Sequence, residues 1–265
     1  MNNNKKVYRI IGRWVKIILP FYLLTFFPFT MKAQVGDYRT DLAIGVNGGY
    51  AMTRLSFTPD VPQNLLGGVT GGLTIRYTCE KYFSSICAIT AEVNYMQAGW
   101  KERILDVLDE PVYYEGDDSD PLRYQRRITY VQVPLLARLG WGRERKGLQA
   151  FIQLGPQLGF YLDESTETNI VQGRPTWNAR VSSVVAQETM PVENKLDYGI
   201  VGGAGIEFSH PKVGHFLLEG RYYFGLANIY GNSKSDYFAK SNQSNIVVKL
   251  SYLFDVIKTK NPKIR

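Results

Sequence analysis

The chain has 265 residues, with 31 Lys and Arg against 24 Asp and Glu, 45% hydrophobic residues and two cysteines. Six of the basic residues and no acids fall in the first 33 positions, so the remainder carries a net charge of only +1. This removes the basic-surface argument for nucleic-acid binding. Beyond those positions the length suits one domain, and no run of about 20 apolar residues remains to form a spanning helix.

The first 33 residues read as a secretory signal peptide. Lys5, Lys6, Arg9, Arg13 and Lys16 make a basic n-region, residues 17–30 an apolar h-region, and Ala33 a cleavage point, with Met31 larger than the small residue usual two places upstream. A membrane-anchoring helix is the rival reading, but the run is short and Pro20 and Pro28 interrupt it. Export places Cys79 and Cys87 where disulfides persist.

Eight period-two segments follow. In 41–51, Leu42, Ile44, Val46 and Tyr50 share one face. In 67–79, Leu73, Ile75, Tyr77 and Cys79 lie opposite Arg76. In 86–101, Cys87, Ile89, Val93 and Tyr95 lie opposite Glu92 and Asn94. In 126–141, Val131, Val133, Leu135 and Leu139 lie opposite Arg138. In 148–161, Ala150, Ile152 and Leu154 lie opposite three glutamines. In 195–208, Tyr198, Ile200 and Ile206 lie opposite Asp197 and Glu207. In 215–229, Phe216, Leu218 and Tyr222 lie opposite Glu219 and Arg221. In 245–254, Ile246, Val248, Leu250 and Phe254 lie opposite Lys249. Most of these segments are longer than the ~5–6 residues of soluble sheets and match tilted spanning strands of about 9–11 residues.

The joining segments alternate in length. Residues 80–85, 143–147 and 209–214 are tight turns, whereas 52–66, 103–125, 163–194 and 231–243 are long. Short turns on one side and long loops on the other are the layout of an outer-membrane barrel. The expected fold is therefore all-β: an eight-stranded antiparallel transmembrane β-barrel over 34–257, with short periplasmic turns, long extracellular loops and a short tail over 258–265.

A soluble lipocalin-like barrel has the same parity but an apolar interior. Three features favour the membrane. The non-apolar face carries charges of both signs: Arg76, Glu92, Arg138, Glu207, Glu219, Arg221 and Lys249. Aromatics mark both strand ends, with Tyr77, Trp141, Phe208, Phe216, Tyr252 and Phe254 near the short turns and Tyr50, Tyr95, Trp100, Tyr161, Tyr198 and Tyr230 near the long loops. The last strand closes on an aromatic run, LSYLF. Two aromatic girdles flanking an apolar band are an interfacial signature. GIVGGAGIEF (199–208) departs from G-x-G-x-x-G and continues as a strand, so its glycines relieve crowding rather than cradle phosphate.

The segments TYVQVPLLARLGWG (129–142), LQAFIQLGPQLGF (148–160), LDYGIVGGAGIEF (196–208), EGRYYFGLANIY (219–230) and NIVVKLSYLF (245–254) resemble the PorT-like family of outer-membrane β-barrels found in Bacteroidetes. The resemblance covers nearly the whole chain after the leader. It implies a non-enzymatic barrel associated with the type IX secretion pathway, which exports proteases and adhesins. The tail DVIKTKNPKIR after Phe254 departs from barrels that end at the terminal aromatic.

The inward charges are the one convergent ionisable cluster. An eight-stranded barrel is only wide enough for its own side chains to fill, and buried charges need partners, so the seven are expected to form an ion-pair plug rather than a solute path. Cys79 and Cys87 flank the first short turn on one face, which suits a disulfide. The only histidines, His210 and His215, fall at a short turn, and no Ser/His/Asp grouping can be placed on the outer rim from sequence. The acids of 103–125 (Asp106, Asp109, Glu110, Glu115, Asp117, Asp118 and Asp120) match no calcium-loop spacing and read as a solvated loop. The apolar stretch VSSVVAQETM (181–190) reads as a partner-docking or self-pairing strand, or as plain disorder.

The sequence therefore predicts an exported outer-membrane barrel with no catalytic, cofactor or metal residues, embedded in lipid and serving as an accessory subunit of a protein-secretion machine. The rivals are a stand-alone surface barrel binding an external ligand through its loops, and a narrow pore.

Overall fold

A computed structural model of the protein describes residues 37–258 apart from 83–84, 117–118, 144–145, 172 and 232–236. The leader expected at 1–33 and the tail beyond 258 lie outside the described residues. The described residues all belong to one unit, Gly36–Arg265.

Nine strands run in chain order: β1 Asp37–Thr58, β2 Gln63–Asn64, β3 Leu66–Tyr82, β4 Ser85–Glu102, β5 Tyr124–Gly142, β6 Gly147–Thr168, β7 Leu196–His210, β8 Gly214–Asn228 and β9 Lys240–Ile257. β2 is a two-residue ribbon beside the end of β4. The other eight pair antiparallel with their neighbours in the order β4-β3-β1-β9-β8-β7-β6-β5, and β5 pairs back onto β4. The sheet is thus a closed ring, which leaves no edge in the membrane. Among the described residues no helix is long and apolar enough to cross a membrane; the strands do the crossing.

Each of the eight barrel strands presents an apolar outer stripe. Val46, Leu73, Val93, Leu135, Ile152, Ile200, Leu218 and Leu250, one per strand, are all exposed on the protein surface and form the lipid-facing band. Exposed Tyr77, Trp141, Phe208, Phe216 and Phe254 border it at the short-turn end; exposed Tyr50, Tyr95, Phe160, Tyr198 and Phe224 border it at the other.

Beyond the second border the strands continue, and the chemistry of their two faces inverts. In β1 the parity is unbroken to Thr58, yet Leu55 and Phe57 point inward and are buried while Arg54 and Thr58 face out. In β4, Met96, Ala98 and Trp100 are inward and Lys101 is exposed. The cause is the change of solvent. Within the bilayer the outer wall meets hydrocarbon; above it the wall meets water, and the lumen becomes the dry side. Part of what reads as the loop 52–66 is therefore strand.

This inversion corrects the outer girdle. Trp100 and Tyr230, expected in it, are fully buried in the mouth of the barrel. Tyr161 also turns inward, stacking edge-on to Tyr130 at 6.4 Å. A register shift of the β5–β6 ladder at Thr129/Tyr130 accompanies this turn, and Phe160 takes the outward place.

Candidate functional site

The lumen is filled in layers. Nearest the short turns, Glu207 of β7 receives partners from three other strands. Arg76 of β3 meets it at 2.8 Å, Arg138 of β5 donates a very short hydrogen bond, and His215 Nδ1 lies 2.6 Å away. Nε2 of the same imidazole lies 3.0 Å from Asp255, which Lys258 Nζ also reaches at 2.8 Å. The Arg138 guanidinium packs over the Phe151 ring at 3.7 Å.

The next layer is a four-membered ionic ring. Arg221 of β8 donates two parallel hydrogen bonds to Glu92 of β4, at 2.8 and 2.7 Å, and meets Glu219 at 2.7 Å. Lys249 of β9 lies 2.6 Å from Glu92 and 3.3 Å from Glu219. The amides of Asn94 and Gln153 donate to Glu92 and Glu219. A bidentate Arg–carboxylate pair is among the stronger polar contacts a protein makes, and its geometry is specific. Inward glycines make room for this layer. A Cβ on Gly203 would press on the Arg221 side chain at 2.9 Å, and one on Gly205 on Phe151 at 2.6 Å and Glu219 at 2.8 Å.

The structure thus places Arg76, Glu92, Arg138, Glu207, Glu219, Arg221 and Lys249 in the lumen and brings them together as two clusters. An amide layer lies beyond, where Asn47 donates to Thr74 and Asn94 at 2.8 Å each. Tyr223 then donates to Asp197 at 2.7 Å.

Toward the long loops the lumen becomes aromatic. Phe57 packs edge-on to Trp100 at 5.5 Å and tilted against Phe238 at 5.0 Å, and Tyr230 stacks on Phe238 at 5.5 Å. The long loops fold into this mouth. The stretch 181–190 forms no strand, and Val181 and Val185 within it are exposed. It carries a short 3-10 turn, Ala186–Glu188, whose Gln187 is fully buried, and Val184, Ala186 and Met190 pack on the aromatic core. Gln187 donates to Glu102 at 2.9 Å; Arg180 bridges Glu102 at 3.2 Å and Glu188 at 2.6 Å. Glu102 is the last residue of β4, above the apolar band. Burial, reinforced by the nearby Glu188 and only partly offset by Gln187 and Arg180, pushes its carboxyl up to about 7. Sequence reading missed this mouth; its signal was the inward parity of Phe57, Trp100 and Ile128.

The acids of 103–125 are not uniformly solvated. Asp106 is buried, accepts the backbone N–H of Leu108 and Glu110, and receives the amide of Asn178 at 2.8 Å. Asp120 pairs with Arg123 at 3.1 Å. Asp117 and Asp118 lie outside the described residues. Among the described residues no group of three or more His, Cys, Asp or Glu converges as a metal site.

Cys79 and Cys87 are not joined in the structure, contrary to the disulfide the sequence suggests. The ladder slips between Thr78 and Glu80, so Glu80 rather than Cys79 stands opposite Cys87. The slip removes Cys79 from the cross-strand position that a bond would need.

One grouping has the composition of a hydrolytic triad. Ser209 Oγ lies 2.8 Å from His215 Nδ1, whose other nitrogen contacts Asp255. Ser209 is fully buried, however, and its hydroxyl donates to Glu207 at 3.1 Å. No substrate carbonyl can approach that oxygen, so the grouping holds the wall together instead of presenting a nucleophile.

The family model for the outer membrane protein beta-barrel domain matches residues 32–231. The chain belongs to this family. No curated protein matches it. Solved structures to which it is similar include the attachment invasion locus protein Ail of Yersinia pestis in complex with the heparin analogue sucrose octasulfate (12% identity, 81% of this chain and 99% of that one, TM-score 0.33). OprG of Pseudomonas aeruginosa (14% identity, 83% and 98%, TM-score 0.40) and the protease OmpT of Escherichia coli (9% identity, 83% and 98%, TM-score 0.35) are similar in the same way. Membership of the outer-membrane barrel family agrees with the apolar band and its two aromatic borders, and indicates the outer membrane as the location.

Proposed function

We propose that this outer-membrane barrel is a closed, non-catalytic scaffold that serves as an accessory subunit of a protein-secretion machine, the type IX pathway implied by its PorT-like segments. The observation that carries this reading is the filled lumen, crossed by ion pairs on the short-turn side and sealed by folded loops on the other. A barrel whose described lumen is filled does its work through its rims and outer wall. The leader over 1–33 delivers it to the periplasm for assembly. Affinity capture of the detergent-solubilised barrel, followed by mass spectrometry, should recover subunits of a secretion machine; recovery of the barrel alone from gently solubilised membranes would count against this role. In planar bilayers the wild type should give no stable single-channel current.

A second reading, a stand-alone surface barrel that binds an external protein through its loops, is favoured by one feature. Val107, Leu108 and Trp177 of the long loops are exposed. Apolar loop residues in water are characteristic of contact surfaces. Binding of the purified barrel to surface material from outside the cell, with no secretion subunits captured, would favour it.

A further inference from the structure

The two rims of the barrel are oppositely charged. Among the residues whose side chains are described, the four long connections (59–62, 103–123, 169–195 and 229–239) hold eight Asp and Glu against five Lys and Arg. The three short turns (80–85, 143–147 and 209–214) hold three Lys and Arg and no described acid. Arg143, Lys146 and Lys212 are exposed there. Within this basic rim the lumen opens as a vestibule of about 230 Å³, to whose wall all eight barrel strands contribute. At its floor, Arg76 and Arg138 share the single carboxylate of Glu207. The wall holds three carboxylates, Asp41, Glu207 and Asp255, and none is without a partner; Glu207 and Asp255 are held by cations or His215.

We propose that this rim and vestibule form a docking face for an acidic segment of a periplasmic protein. The rim attracts the segment, and the vestibule admits one of its carboxylate side chains toward the two guanidiniums. Anionic lipid is the rival source of negative charge. Its headgroups are held outside the barrel wall by their acyl chains, whereas the vestibule lies on the axis, inside the ring of strands. A partner rising from the periplasm reaches both features. Because the exposed charges lie in water, the attraction is long-ranged and screened by salt. The inference needs only the orientation common to outer-membrane barrels, with short turns in the periplasm, and does not depend on membership of a secretion machine.

The test uses the full-length mature barrel in a zwitterionic detergent and three fluorescent peptides of equal length, rich in Asp, in Lys or in Ser. Anisotropy should report saturable binding of the Asp peptide alone. The affinity should fall by about tenfold or more at high salt and in the triple variant Arg143→Glu/Lys146→Glu/Lys212→Glu. A gel-shift assay establishes that the triple variant is folded; if it is not, the milder Arg143→Gln/Lys146→Gln pair should show a smaller loss in the same direction. Equal binding of the Ser peptide, or an unchanged affinity in folded variants, would overturn the proposal. So would selective binding of phosphatidylglycerol vesicles over phosphatidylcholine vesicles with no binding of the Asp peptide, which would assign the basic rim to lipid.

Discussion

Arg221 and Glu92 are 129 residues apart in sequence, yet their side chains form a two-pronged hydrogen bond at 2.8 and 2.7 Å across the lumen. β8 and β4 are four strands apart in either direction around the ring, so the pair spans the full bore. Arg76 of β3 and Glu207 of β7 stand in the same relation one layer nearer the short turns. Two diametric struts in adjacent layers brace the wall and obstruct the passage together.

Cutting one strut should cost more than removing both its halves. Arg221→Ala leaves Glu92 and Glu219 facing Lys249 alone inside a dry lumen, and should lower stability by about 3–5 kcal/mol. Arg221→Met with Glu92→Gln leaves the neutral Lys249–Glu219 pair and should regain much of that loss. An exposed-loop change, Asp60→Ala, should stay within about 0.5 kcal/mol. Urea unfolding followed by gel mobility measures all three; equal stability of Arg221→Ala and the wild type would place these charges in contact with water.

The closed ladder should survive cold denaturing detergent. Unboiled and boiled samples of the mature chain should therefore migrate differently on a gel, because a barrel with no free edge unfolds only when the whole ring opens. Recovery of the protein from a periplasmic extract without detergent would contradict a membrane-embedded wall.

The aromatic mouth is predicted to be separable from the membrane-embedded part. Trp100→Ala removes the ring at the centre of the mouth cluster, a change worth about 3–5 kcal/mol in a packed core. The gel shift should persist while residues 169–195 become much more sensitive to added protease. Unchanged cleavage would mean that those loops are held by contacts other than the Trp100 cluster.

Opening of the mouth should depend on pH through Glu102. Its carboxyl sits near 7 when the loop covers it and near 4.5 in a chain exposed to water. Between those values the closed state binds the extra proton, so closure weakens as pH rises from about 4.5 to about 7 and is level beyond both limits. Hydrogen exchange at residues 184–190 should be faster at pH 8 than at pH 5 after correction for intrinsic rates. Glu102→Gln should flatten the difference.

Both cysteines should alkylate without prior reduction in the unfolded protein, since the slip at Cys79 leaves Glu80 opposite Cys87. A linked peptide containing Cys79 and Cys87 in unreduced mass spectra would refute the register described for the first short turn.

Period-two alternation is a local property, so the sequence alone locates the strands and their outward residues from Val46 to Leu250, and the alternating turn and loop lengths give their antiparallel order. It also assigns Arg76, Glu92, Arg138, Glu207, Glu219, Arg221 and Lys249 to one parity of their strands. It does not say which carboxylate each cation meets, because partners such as Arg138–Glu207 and Lys249–Glu92 come from strands 69 to 157 residues apart that only ring closure brings face to face. Nor does it place Trp100, Phe57 or the stretch 181–190. Their apolar side chains follow the same alternation, but the solvent on each face depends on height above the bilayer. Where the outer wall passes from hydrocarbon to water, an apolar side chain belongs inside instead of outside, and only the assembled barrel determines where along each strand that exchange occurs.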